Sequence, residues 1–475
     1  MDYLDSLSGY AAALGPRAVP VEVRRRAAWV VADTIAAIVA GAREPELQAM
    51  ARMMAPTGAA NFPGASGPSA LLLGIGRSST ADVAALVNGT AGTFLEMDEG
   101  NRYSRGHPAV HVLPAVLALC EENGLGHESF LAGFIVGYEI GSRLGAASRL
   151  HGSMHPHGTW GTIGAAAGCA RALGATQAEM RETINVASSI TTATSKRTML
   201  EGGLVRNLYA GLANRNGLLA ARLVSCGFTG EKDGPGSLFG GVISDHFDRA
   251  AVMADLGSDW HLMSNYFKRH SCCRYNHGTL DAVDLIAARG ELPPAEDIER
   301  VLVESYSYAA ELSDPRPRNT LAAKFSVPFA VATRLVNGTS DLASFTWRAV
   351  RDPSVLELAE RVSVREDPEM TARLPGERPA RVTIVARSGR TVVGEVSVNR
   401  GDDAAPYTEA ELRDKFLALC SRAWPVTHAE ALLKATLALA DPQTESAASA
   451  PLAEWRRLLA RPPTTPSSGT SSSSD

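Results

Sequence analysis

Histidines recur in this chain where an imidazole could move protons. His107 stands directly before Pro108 in HPAVHVLPAVLAL, and a proline there marks the first turn of a helix. A side chain at that position faces the unpaired amide groups and positive dipole end of the helix. These attract an anionic ligand and pull an imidazole pKa down, so the ring stays neutral and able to accept a proton. His107 is the first candidate for acid–base chemistry, and His155, in the loop GSMHPHGTW, is the second. His151 and His157 of that loop read as bystanders, and His277 as a helix-core or capping residue. Two cations could anchor an anion beside these rings. Lys268 opens FKRHSCCR, where helical texture gives way to strands, and a domain junction is a usual place for a pocket. Arg206 would be a second anchor, with a planar fork suited to carboxylates. Glu96, Asp98 and Glu99 form an acidic group shortly before His107. Carboxylates are costly in an anion site unless they orient a histidine or lysine, or take up a proton, so one of them is expected to orient an imidazole.

Other chemistries find no support. GIGRSS lacks the third glycine of a dinucleotide fingerprint, and no Walker A sequence exists, so no cofactor is expected. His107 and His111 lie four apart, but HPAVH lacks the glutamate of a zinc-peptidase helix. His151, His155 and His157 fall in a Gly/Pro loop without a nearby carboxylate, and Cys272 and Cys273 are adjacent rather than spaced. No metal is expected. A nucleophile elbow is also missing.

The elements that would position these residues are legible from periodicity. The 475 residues exceed the usual limit of one core, so two domains are expected. Helical spacing runs from VRRRAAWVVADTIAAIVAG through LYAGLANRNGLLAARLVSCG, in segments rich in Ala and Gly that let helix axes approach closely. Alternating patterns follow in IERVLVESYSY and ARVTIVARSGRTVVGEVSVNR, with Ser388-Gly389 as a hairpin turn and helical stretches between the two. Helical spacing returns in TEAELRDKFLALC, where Thr408 and Glu411 fit a capping box. The chain thus reads as mainly α with a smaller α+β domain. Residues 1–264 and 405–460 form the all-helical domain, 265–404 the α+β lid, and 461–475 a disordered tail. A net charge of −5 argues against nucleic acid. No apolar run is long enough for a membrane span. Six scattered cysteines and an acidic N-terminus suit a cytoplasmic protein.

Six blocks in order resemble the MmgE/PrpD family, which includes 2-methylcitrate dehydratase, cis-aconitate decarboxylase and iminodisuccinate epimerase. They are ADTIAAIVAG, ALVNGTAGTFLEMDEG with HPAVHVLPAVLAL, GSMHPHGTWGTIGAAAGCARALG, EGGLVRNLYAGLANRNGLLAARLVSCGFTG, FKRHSCCRYNHGTLDAVDLI and KFSVPFAVATRLVNG, and they span about residues 5 to 440. The resemblance implies a small carboxylate substrate, a homodimer, and a carbanion formed or quenched next to a carboxylate. Such a step needs cationic or hydrogen-bonding neighbours and a proton donor or acceptor of matched pKa. Under it, His107, His155, Lys268, Glu96 and Asp98 are the catalytic candidates. Arg206, Cys273 and Glu99 are the substrate-binding ones. Three positions depart from the family pattern: Glu96 stands where Asp is usual, Arg206 where Lys is usual, and Cys273 near a usual His. Cys273 could serve as an acid in place of that histidine, or be an inert buried thiol. The expected reaction is a dehydratase-type elimination or addition of water. Decarboxylation, epimerisation at the same kind of carbon, and a non-catalytic descendant are the alternatives.

Overall fold

A computed structural model of the chain describes residues 2–55, 70–440 and 450–464. The Ala/Gly-rich segments form long helices: α1 (Tyr3–Ala13), α2 (Val21–Gly41), α3 (Ala81–Phe94), α4 (Pro108–Glu122), α5 (His127–Ala147), α6 (Trp160–Ala172), α7 (Gln177–Ser189) and α8 (Leu208–Ser225). Small residues set their spacing. A methyl group on Gly137 of α5 would lie 2.6 Å from the carbonyl oxygen of Gly164 in α6, and one on Gly164 would lie 2.7 Å from that of Gly137. The two backbones touch, and no larger residue fits there. Helix α2 is buried along most of its length, as expected of a helix that is apolar all round.

The second region is built around a four-stranded sheet of β1 (Ile298–Ser305), β2 (Val362–Glu366), β3 (Ala380–Ala386) and β4 (Thr391–Val396), in the order β4-β3-β1-β2. The β1–β2 pair is parallel and the other two are antiparallel. A parallel pair requires a long crossover, and residues 306–361 supply it, including α10 (Val327–Asn337). The β3–β4 hairpin turns around Ser388 and Gly389, with Gly389 in the left-handed conformation (φ 84°). Helix α9 (His277–Ala288) packs on this sheet. The chain then re-enters the helical region as α11 (Glu409–Cys420) and α12 (Val426–Ala438), and α11 opens with the Thr408/Glu411 capping box.

Two apolar cores result. One runs from Leu4 to Phe267 and resumes from Leu412 to Leu459. The other holds Met199 and residues from Cys272 to Val392. The tail expected to be disordered begins differently: Trp424 donates to the Arg461 carbonyl at 3.0 Å and the Thr464 amide donates to that of Ala423 at 2.8 Å. These bonds hold residues 461–464 against the helices, and residues 465–475 lie outside the described residues. Residues 441–449 of the expected helical segment lie outside them as well. Among the described residues, no helix is long and apolar enough to cross a membrane.

Candidate active site

The acidic group after α3 is folded into a short buried loop. Glu96 takes a left-handed backbone conformation (φ 54°) although it is not glycine, and it is 1% exposed. Such a conformation costs about 1 kcal/mol or more and persists only where surroundings enforce it. Here the enforcement is ionic. Arg206 donates through Nη1 to one carboxylate oxygen of Glu96, and Lys268 Nζ lies 3.2 Å from the other. Lys268 reaches this place because Gly100–Asn101 pairs antiparallel with Asn265–Tyr266. The approach is close: a methyl group on Gly100 would fall 2.4 Å from the Tyr266 hydroxyl. Burial alone would raise the Glu96 pKa, but Arg206 and then Lys268 override it and hold the carboxyl at about 2. Lys268 also lies 3.3 Å from Asp98. Burial works against its charge, but Asp98 and Glu96 prevail and raise its pKa. From the opposite side, Lys415 of α11 pairs with Asp33 and donates to the Met97 carbonyl at 2.8 Å, which clamps the same loop.

The histidines gather against this loop. His107 precedes Pro108 at the start of α4, and its Nδ1 lies 2.6 Å from the Glu99 carbonyl and 3.2 Å from Asp98 Oδ2. The shorter contact requires a proton on Nδ1, so Nε2 carries the lone pair. Asp98 stands beside the ring as its counter-charge. Burial keeps His107 below the ordinary histidine value, while Asp98 pulls the other way. His155 follows a similar logic. Its Nδ1 accepts from the His157 amide at 3.1 Å and its Nε2 faces Arg206 Nε at 3.3 Å. A neutral ring has one lone pair, so it satisfies only one of these two donors. Burial, and then Arg206, hold His155 well below its ordinary value.

Sequence reasoning set His157 aside, but it is central. Its ring meets those of His107, His111 and His155 edge-on at centroid distances of 5.1, 4.7 and 4.6 Å. Its Nδ1 and the Nε2 of His111 are buried with no hydrogen-bond partner. Only the fold shows this, since His111 and His157 lie on different elements. His151 is half-buried, pairs with Asp245 and lines the same cleft as His107, His155 and His157, and His277 is buried at the start of α9 with Nε2 near the Cys272 carbonyl.

These groups border a cleft of about 170 Å³. Glu96, His107, His155, His157, Arg206 and Cys273 all line it. Three expected residues, Lys268, Glu99 and Asp98, do not. Lys268 is fully buried behind Glu96, its ammonium committed to Glu96 and Asp98, so it sets the charge of the loop rather than offering itself as a direct anchor. Glu99 is also withdrawn. One oxygen accepts from the Ala109 amide at 2.8 Å and the other from the Tyr138 hydroxyl at 3.2 Å. It caps α4 instead of contacting a ligand, and burial lifts its pKa to about 8. Asp98 is buried too and acts beside His107 and Lys268. The Cys273 thiol faces the cleft, with burial and then Glu96 raising its pKa to about 11.

The cleft also holds cations that the sequence did not disclose. Arg105, Arg149, Lys196, Arg274 and Arg378 line it. Lys196 is paired with Glu311 and Arg274 with Asp402. Arg105, Arg149 and Arg378 have no carboxylate partner among the described residues. The inner end is charge-balanced, Arg206 and Lys268 against Glu96 and Asp98, and the rest of the wall is positive. Such a wall suits a ligand with more than one negative group.

Elsewhere, His270, Asp281 and Asp284 bring ligand-type atoms within 4.8 Å of one another. Asp281 accepts from the Arg400 amide at 2.9 Å and Asp284 from Arg334 at 2.6 Å, so these carboxylates already have partners.

Comparison with known proteins places the whole arrangement. The MmgE/PrpD N-terminal domain profile matches residues 5–235 and the MmgE/PrpD C-terminal domain profile matches residues 270–441. A cis-aconitate decarboxylase-like protein, oryM, of Aspergillus oryzae is 24% identical over 447 residues, covering 87% of this chain and 90% of the relative. A cis-aconitate decarboxylase of Aspergillus terreus is 29% identical over 377 residues, covering 73% and 74%. That of Mus musculus is 26% identical over 362 residues, covering 71% and 72%.

Proposed function

The chain belongs to the MmgE/PrpD family, and from that premise we propose that it is a lyase that decarboxylates a small unsaturated polycarboxylate of the cis-aconitate kind. The relatives are named as cis-aconitate decarboxylases or likened to them, which moves the weight from the water elimination expected from sequence to loss of carbon dioxide. The observation that carries the reading is the pairing of neutral buried imidazoles with a wall of arginines that lack carboxylates.

In this reading the arginines receive the substrate carboxylates. The bond between the departing carboxylate and its carbon breaks heterolytically. Carbon dioxide leaves, and the electron pair stays on carbon, delocalised toward a remaining carboxylate that the cationic wall stabilises. A proton must then reach that carbon. His107 suits this role because Nδ1 is fixed by the Glu99 carbonyl, which leaves Nε2 to exchange the proton. Burial disfavours the imidazolium, but a bound polyanion and Asp98 both favour it. Substrate binding thus charges the acid that the reaction consumes. His155 and Arg206 face one another across 3.3 Å, and a carboxylate oxygen arriving there can accept from both.

The test is incubation of purified protein with cis-aconitate, 2-methylcitrate and iminodisuccinate in deuterated water, followed by NMR. Carbon dioxide release from cis-aconitate with one deuterium incorporated is the expected result. Water loss from 2-methylcitrate with no decarboxylation would restore the dehydratase reading. Deuterium uptake by iminodisuccinate alone would favour the epimerase.

A further inference from the structure

Beyond Arg378 the cleft continues into a second chamber. The chamber has a volume of about 320 Å³ and shares Arg105, Tyr275, Tyr308 and Arg378 with the cleft. Tyr103 and Tyr306 complete its aromatic wall. Tyr275 stacks on Tyr308 with centroids 5.6 Å apart and meets Tyr306 edge-on at 5.9 Å. These contacts fix the rings as a rigid surface.

Arg378 is the charge at the mouth of this chamber. It is 6% exposed, and its guanidinium lies 5.4 Å from the Tyr266 ring centroid. Nη2 donates weakly to the Arg102 carbonyl at 3.4 Å. Nη1 is buried with no partner, and so is the Tyr306 hydroxyl. The carboxylate of Asp402 is held by Arg274 at 2.7 Å. The two other arginines at the chamber are occupied: Arg102 pairs with Asp403, and Arg105 donates to the carbonyls of Gly145 and Ser148. A buried cation without a counter-ion costs several kcal/mol unless something compensates it. Two unsatisfied donors, one cationic and one hydroxyl, match the two oxygens of a carboxylate.

We propose that Arg378 and Tyr306 form a subsite for a carboxylate of the substrate remote from the reacting carbon, which makes Arg378 a specificity-determining residue. This rests on the polycarboxylate reading above. It adds that discrimination among carboxylic acids is made at the α+β wall, away from the histidines.

Calorimetric titration of the full chain with tricarballylate, and with methylsuccinate, which has one terminal carboxylate fewer, tests it. Wild-type protein is expected to prefer tricarballylate by about tenfold or more, the worth of a hydrogen-bonded charge contact. Arg378→Met should reduce that preference to within about threefold while leaving methylsuccinate affinity near wild type. Tyr306→Phe should lower the preference by about threefold, and it decides the matter if the arginine variant fails to fold. A preference unchanged in both variants, equal weakening of both ligands, or equal wild-type affinity for the two acids overturns the subsite alone. Failure of wild-type protein to bind either acid overturns both the subsite and the polycarboxylate reading.

Discussion

Arg206 and Arg378 are both buried, both line one cleft, and are held in opposite ways. Arg206 has a carboxylate on one nitrogen, an imidazole near another, and its guanidinium 5.1 Å from the Phe325 ring centroid. Arg378 has a tyrosine face, a distant carbonyl and a nitrogen with no partner. The first is part of a balanced ionic knot, whose charges cancel before any ligand arrives. The second keeps its charge available. An arginine's capacity to bind an anion therefore depends less on its position in a pocket than on what already holds it.

Five outcomes probe the difference between the two ends. His107→Ala should lower kcat by roughly 10²–10⁴-fold with the melting temperature nearly unchanged, since chemistry belongs to the balanced end. Arg378→Met should instead raise KM with little change in kcat. Glu96→Gln would turn the balanced end into a second uncompensated one. Losing one partner of a buried ionic group costs about 3–5 kcal/mol, read as a clear drop in melting temperature. pH reaches the neighbouring acidic loop through Glu99, whose folded pKa of about 8 lies above its ordinary 4.5. The folded state then binds more protons than the unfolded one between those values, so stability should fall by roughly 1.4 kcal/mol per pH unit across that window and level off above it. Glu99→Gln should lower the slope by that amount and flatten it between about pH 7 and 8, while Glu121 and Glu139, which burial raises to about 7, keep a slope below that range. The smallest effect is on stability at the other end: Arg378→Met should be neutral or stabilising by about 1 kcal/mol, because it removes a lone buried charge.

Much of this was legible in the residues. His107 announced itself through Pro108, which fixes a helix start, and the helix terminus gives the ring its place beside the acidic loop. The β3–β4 hairpin and the α11 capping box followed from local turn and cap chemistry. Long-range geometry was not legible. Lys268 opens its segment as a surface anchor would, and nothing local tells that the Gly100–Asn101 pairing buries it behind Glu96. His157 looked like a loop residue because its three ring partners come from α4 and from its own loop folded back. Arg378 precedes a strand in RPARVTIV, where an arginine reads as solvated, and only the tyrosines at 266, 275 and 306 reveal otherwise.

The Lys415 clamp has a consequence for synthesis. The loop that carries Glu96 and Asp98 leaves the ribosome early, yet one of its fastenings, the ammonium on Met97 and Asp33, comes from a residue more than 300 positions later. A nascent chain therefore carries the cleft histidines His107, His151, His155 and His157 well before that fastening exists. Translation arrested upstream of residue 415 yields a protein with every cleft-lining side chain present and its acidic loop unlatched on one side.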